Sequence, residues 1–370
     1  MYSQNDIDEA VAAGAISSDA ATALRTHIET TRSLPIQDEE QFRLITGFND
    51  IFVSIAAAIL LFAVGFIGQW IGQRTGTVVG DSDGPSFLAP ALVAITSWGL
   101  ALFFTAKRRM ALPSILLLLS FVGGVLGTAA FALALVIGPD AFENNQPLIG
   151  IVGAASAATT AVAAWFHWKR FRVPITVAAG AASVAGIAVA LLIAALNRDP
   201  EEMQNLILGF VLLLGIGTFL FAMWWDGSDR ARLTRRADVA FWLHLLAAPM
   251  IVHPIFTLMG LNDGNATVGE GLVVIALYIA LGFTALAIDR RALLVSALAY
   301  VLFALNQLFE KFGAVELNVA LTALVIGSAL LMLSAFWHQA RTLVVRPLPE
   351  SLRDRLPLID RAAPIPQPAA

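Results

Sequence analysis

From Asn49 to Gln339 the chain alternates long apolar runs with short polar ones. A membrane-crossing helix needs about 20 mostly apolar residues, since each adds ~1.5 Å against ~30 Å of hydrocarbon. Ten runs meet that length: 50–71, 86–106, 112–137, 148–167, 173–196, 204–225, 239–259, 270–288, 292–309 and 317–339. The pattern predicts an all-α, polytopic membrane bundle of about ten transmembrane helices.

The flanks read differently. In residues 1–48, Asp6–Ala13 predicts a short helix closed by Gly14, a residue suited to the left-handed stop of a helix. Ser17 or Ser18 then caps a second helix running through Thr31. Ile7, Val11, Ile16, Ala20, Leu24 and Ile28 form one apolar seam, too small for an independent core. The seam is expected to dock on the membrane domain or on a partner protein. Residues 38–48 mix Phe42, Leu44, Ile45 and Phe48 with Asp38, Glu39, Glu40 and Arg43, the composition of an interfacial helix. After Arg346, residues 351–356 predict one short surface helix, followed by a proline-rich disordered end. The expected division is 1–48, an N-terminal helical segment; 49–341, the transmembrane domain; and 342–370, a tail.

Composition agrees. The chain is 58% hydrophobic and 14% charged, with mean hydropathy +0.76. Soluble domains carry about 25% charged residues, and this chain in water would expose very large apolar patches. There is no cysteine. That excludes disulfides, thiolate nucleophiles and cysteine-ligated clusters. The polar first 48 residues lack a signal-peptide pattern, so the first span is expected to stay as an anchor.

The net charge of −4 becomes informative once it is split by side. Of 23 lysines and arginines, all but Arg74, Arg198 and Lys311 fall on one side of the ten-run zigzag. Basic residues stay cytoplasmic, so both termini are expected inside. Trp165, Trp168, Trp224, Trp225, Trp242 and Trp337 cluster at the inner ends, where an indole sits at the headgroup level. His167 and His338 lie among them and read as interfacial.

Basic turns recur at 107–109, 169–172, 230–236 and 290–291, about every 60 residues. The reading is four repeated helical hairpins with one added helix at each end, a construction many polytopic folds use. Runs three to five are rich in small residues, including Gly123 and Gly127, and are expected to form the bundle interior.

Catalytic signatures are absent: no Walker A sequence, no H-E-x-x-H, no G-x-S-x-G. No catalytic residue, cofactor, metal or nucleic-acid partner is expected. The chemistry on offer is polar residues inside spans. His244 and His253 share the seventh run, with Pro249 between them. An ionisable residue within a span is a functional candidate, here for a substrate or proton pathway. The plain alternative is a neutral imidazole bonded to a neighbouring carbonyl. Nine residues put the two rings on opposite faces of a straight helix. Asp50 opens the first run, as a buried proton site or as a helix N-terminal acid. Glu270, Asn306 and Glu310 crowd the outer ends of runs eight and nine, as an acidic vestibule for cations or as a solvated rim.

The opening Ile7-x3-Val11-x2-Gly14-x-Ile16-Ser17, the hairpin Asp289-Arg290-Arg291-Ala292-Leu293-Leu294-Val295-Ser296 and the tail Leu348-Pro349-x2-Leu352-Arg353-x-Arg355-Leu356-Pro357 carry a resemblance. The chain resembles uncharacterised bacterial multi-pass membrane proteins, which implies a bacterial inner-membrane location and no activity or site residue. The expected function is permeation of a small solute or ion. Two other classes stay open: a scaffold or sensor working through the N-terminal helices, and a membrane-embedded enzyme on a lipid-soluble substrate.

Overall fold

Long apolar runs punctuated by Gly, Pro and Arg leave the backbone one way to satisfy its own polar groups in lipid, namely helices. The structure is a computed structural model. It describes residues 11, 13–23, 48–230, 232, 234–259, 268–291, 293–294, 298, 301–302, 305 and 318–358. The helices are α1 (Phe48–Thr75), α2 (Leu88–Phe104), α3 (Ala111–Ile137), α4 (Gln146–Phe171), α5 (Ile175–Leu196), α6 (Gln204–Gly227), α7 (Arg235–Leu258), α8 (Val268–Ile288), α9 (Asn318–Ala335), α10 (Trp337–Val345) and α11 (Glu350–Arg353).

Two compact units emerge, Arg43–Pro357 and Met1–Phe42 with Leu358–Ala370. In the described stretch of the latter, Gly14 takes φ +70° and the Ser17 hydroxyl accepts the Ala20 N–H at 3.1 Å. Ser17 thus caps the second expected helix, while the first, Asp6–Ala13, lies largely outside the described residues.

Among the described helices, α1, α3, α4, α5, α6 and α7 are long and apolar enough to cross a membrane. A seventh results if α9 and α10 count as one span. The second expected span is shorter than the run suggests. With 17 residues, α2 reaches roughly 25 Å. The ninth, 292–309, lies largely outside the described residues. The tenth, 317–339, is not straight: its helix ends at Ala335 and α10 leaves at 77°. The bend has a visible cause. The Trp337 indole donates to Asp289 Oδ1 at 2.8 Å, and Trp337, Arg341 and Val345, one turn apart, are all buried.

From α1 to α7 each helix packs on the next, most extensively α4 on α5 and α6 on α7. Small residues set the approach. A Cβ at Gly150 would lie 2.5 Å from the Ala190 carbonyl oxygen, and one at Gly215 would lie 2.9 Å from the Met250 backbone. Gly123 meets nothing within 4 Å; Gly124 and Gly127 make the close contacts, against Pro90 and Ala94. The expected interior also shifts. Half of the apolar window of α7 is buried (50%) but only 11% of that of α5. The reason is position: α7 packs on α6 and α5 and also buries Val252 and Phe256 against Val301, Leu305 and Ile326.

Each basic turn contains one non-glycine residue in the left-handed region: Arg109 (φ 53°), Arg172 (56°), Arg232 (55°) and Asp289 (56°). A left-handed residue closes a helix tightly and reverses the chain. At Arg232 and Asp289 it brings the turn's own side chains back under the bundle, whereas Arg109 and Arg172 stay exposed.

Candidate functional site

At the basic-turn end of α6, α7, α8 and α10 lies a cluster of charged side chains with almost no solvent contact. Asp226 occupies the last turn of α6, directly after Trp224 and Trp225. His244 projects from the middle of α7, and Arg290 follows the left-handed Asp289 at the end of α8. Their exposures are 1%, 0% and 3%.

The geometry is that of a shared carboxylate. Arg290 grips Asp226 at both oxygens, Nη2 to Oδ1 at 2.5 Å and Nε to Oδ2 at 3.3 Å. Bidentate pairing is the strong form of this interaction. Arg290 Nη2 also donates to the Ala237 carbonyl at 2.9 Å, tying the turn to α7. His244 Nε2 lies 3.0 Å from Asp226 Oδ2. An ionised carboxylate only accepts, so Nε2 carries the proton and a neutral ring leaves Nδ1 as a bare lone pair. Nδ1 is buried with no hydrogen-bond partner among the described residues, and the ring packs edge-on against Phe219 at 5.2 Å.

A second shared carboxylate directly precedes Arg290 in the chain. Asp289 accepts from Arg232 Nη1 at 2.9 Å and from Trp337 Nε1 at 2.8 Å, with Arg341 Nε at 3.8 Å. Arg232 also donates to the Ile288 and Asp289 carbonyls at 2.8 and 3.1 Å, where α8 leaves carbonyls without helical partners. Arg341 Nη2 donates to the Pro357 carbonyl at 2.7 Å, and Arg230 to those of Leu356 and Arg353, each at 3.0 Å. The segment after α10 is thereby held to the basic turns.

Three guanidiniums and two carboxylates thus share a nearly dry space with one imidazole. Taking ions from water costs several kcal/mol each even after relaxation. A buried cluster of this kind is costly to keep, which makes it the candidate site. It is not a metal set. No three histidine or acidic side chains come together to hold an ion among the described residues.

Comparison with protein-family models, with curated proteins and with solved structures finds no match to this chain. The site is therefore read from its own chemistry.

Of the residues singled out in the sequence, His244 lies inside the bundle on a polar partner. His253 is exposed on α7 beside Pro254, on the other face from His244. Asp50 is buried in the first turn of α1, a helix packed on α2 and α3, and its own carbonyl accepts the Ser54 hydroxyl at 2.7 Å. Glu270 belongs to the first turn of α8, at the end opposite Arg290, with its side chain outside the described residues. Asn306 and Glu310 lie outside the described residues altogether.

Two interfacial assignments are corrected. His167 is 1% exposed, its ring between Phe171 (4.6 Å) and Phe121 (5.7 Å), with Nδ1 3.3 Å from the Thr176 hydroxyl. Trp98 of α2 and Phe121 of α3 close over the ring. Trp337 is likewise buried, at 2%, because its N–H is spent on Asp289. The sequence pattern places Arg232, Arg290 and Arg341 among the basic-side charges and singles out none of Asp226, Arg232, Asp289, Arg290 and Arg341 as a site residue. One signal was present: Asp226 continues an apolar helical run without a break, unlike a loop acid.

Proposed function

We propose that this chain is a multi-pass permease for a small solute or ion, in which the Asp226–His244–Arg290 cluster carries a proton that gates or drives passage. One observation carries the reading: a fully buried imidazole, fixed by a carboxylate through Nε2, presents an unpartnered Nδ1 inside an apolar helix. A proton arriving at Nδ1 turns the ring into a cation beside Arg290. The shared carboxylate then faces two positive partners where it had one. α7 is suited to respond, because Pro249 and Pro254 each remove a helix hydrogen bond and permit a kink.

The proposal includes the topology. Ten spans, four hairpins with one added helix at each end, in a bacterial inner membrane with basic turns and both termini cytoplasmic, accord with the charge asymmetry.

The test is purified protein in liposomes enclosing a pH-sensitive dye, exposed to a panel of amino acids, sugars and monovalent ions under a pH gradient. One solute class is expected to accelerate proton movement. His244→Gln, which folds as judged by thermal unfolding, should return the rate to that of protein-free vesicles. The proposal fails if no solute moves protons faster than protein-free vesicles do, or if His244→Gln keeps the full rate.

A further inference from the structure

A cleft of about 340 Å³ opens at the same end of the bundle, between the last turns of α4 and α6 and the first turn of α7. That volume falls within the ~300–1,000 Å³ typical of ligand sites. Trp168 and Trp225 form its walls, Val239 its floor, and Arg172, Arg235 and Arg236 line it with exposed side chains. No carboxylate lines it.

Three details make this more than a basic surface. None of the three guanidiniums is ion-paired with a described residue; Arg172 lies over the Trp168 ring at 5.5 Å, leaving its N–H groups available. The Trp225 Nε1 is buried without a hydrogen-bond partner among the described residues, although the indole lines the cleft. Beneath lies a packed apolar cluster of Ala178, Ala222, Val239 and Leu243, so the floor cannot accommodate a hydrated ion.

We infer that this cleft binds an anionic phospholipid, its phosphodiester held by Arg172, Arg235 and Arg236 and by the Trp225 N–H. The charge selects an anion, and arginine donates in the planar fork that suits phosphate oxygens. The apolar walls, at the ends of membrane-crossing helices, select an anion that is also a lipid. A free phosphate satisfies the first requirement and not the second. This inference is independent of permeation and of the buried Asp226 cluster.

The experiment titrates the full chain in detergent with dioleoyl phosphatidylglycerol, dioleoyl phosphatidylcholine or inorganic phosphate, with bound lipid read by native mass spectrometry. Phosphatidylglycerol should bind at least about tenfold more tightly than phosphatidylcholine, as expected when several basic side chains meet one anionic headgroup. The triple variant R172Q/R235Q/R236Q should lose that preference. The variant K107Q/R108Q/R109Q, which removes equal charge from another basic turn, should keep it. Trp225→Phe preserves the ring and removes the donor, and should weaken phosphatidylglycerol alone. Equal binding of the two lipids overturns the inference, as does equal loss in both triple variants or full retention in the first. Displacement of the lipid by millimolar phosphate also overturns it, by making the site one for a free anion.

Discussion

Asp226 is the residue on which most of the buried chemistry turns, because it is the common acceptor for Arg290 and His244. Removing one partner of a buried pair leaves the other charged and unsolvated, at a cost of about 3–5 kcal/mol. Asp226→Asn should therefore lower stability by about that amount, read as thermal unfolding in detergent. Replacing both ions by apolar residues of similar size is often neutral. The double variant D226L/R290M should accordingly be more stable than Asp226→Asn, and still be inactive in the liposome assay. A double variant no more stable than the single would show that the pair is not the source of the cost. His244 could be singled out from the sequence because an imidazole inside an apolar run is conspicuous. Its partners could not: Asp226 and Arg290 stand 64 residues apart, and each sits where a helix meets a loop.

At the scale of helices, apolar side chains supply little specificity in lipid, so close backbone approach decides which helices pair. Gly150 on α4 and Gly215 on α6 stand where a Cβ would meet the backbone of α5 and α7. Gly209, also on α6, meets nothing within 4 Å. Gly150→Leu should cost about 1–3 kcal/mol by overpacking, whereas Gly209→Ala should change thermal stability by less than about 0.5 kcal/mol. Equal effects at the two positions would remove the close-approach account of the α4–α5 pair. Small residues at 150–164 were legible as packing signals, but which of them faced a neighbour was not. Gly123 and Gly124 are adjacent in sequence and only the second is in contact. The bend between α9 and α10 escaped for the same reason. The run 317–339 carries no charge or proline before Trp337, and the turn follows from what that indole finds on Asp289.

At the scale of the whole molecule, basic and acidic loops should lie on opposite faces of the membrane, and the cysteine-free chain makes this directly measurable. Single cysteines at Arg109 and Asp199 can be probed in intact cells with an impermeant thiol reagent. Labelling is expected at Asp199→Cys, and at Arg109→Cys only after permeabilisation; the reverse pattern would invert the orientation. The all-helical, membrane-embedded class followed from the sequence because transfer of apolar residues into lipid is nearly additive along a run. The same additivity made the turns at Arg109, Arg172, Arg232 and Asp289 readable as turns. Tertiary structure alone decided that the turns at Arg232 and Asp289 fold inward while Arg109 and Arg172 stay exposed. It made Arg232 and Arg290 counter-ions of Asp289 and Asp226, gave α7 the buried position, and closed a cleft between Trp168 and Trp225. The physical reason is that a charge's cost depends on where its partner is. A sequence reports each residue's own preference for water or lipid, and pairing over 57 or 64 residues exists only once the helices have packed.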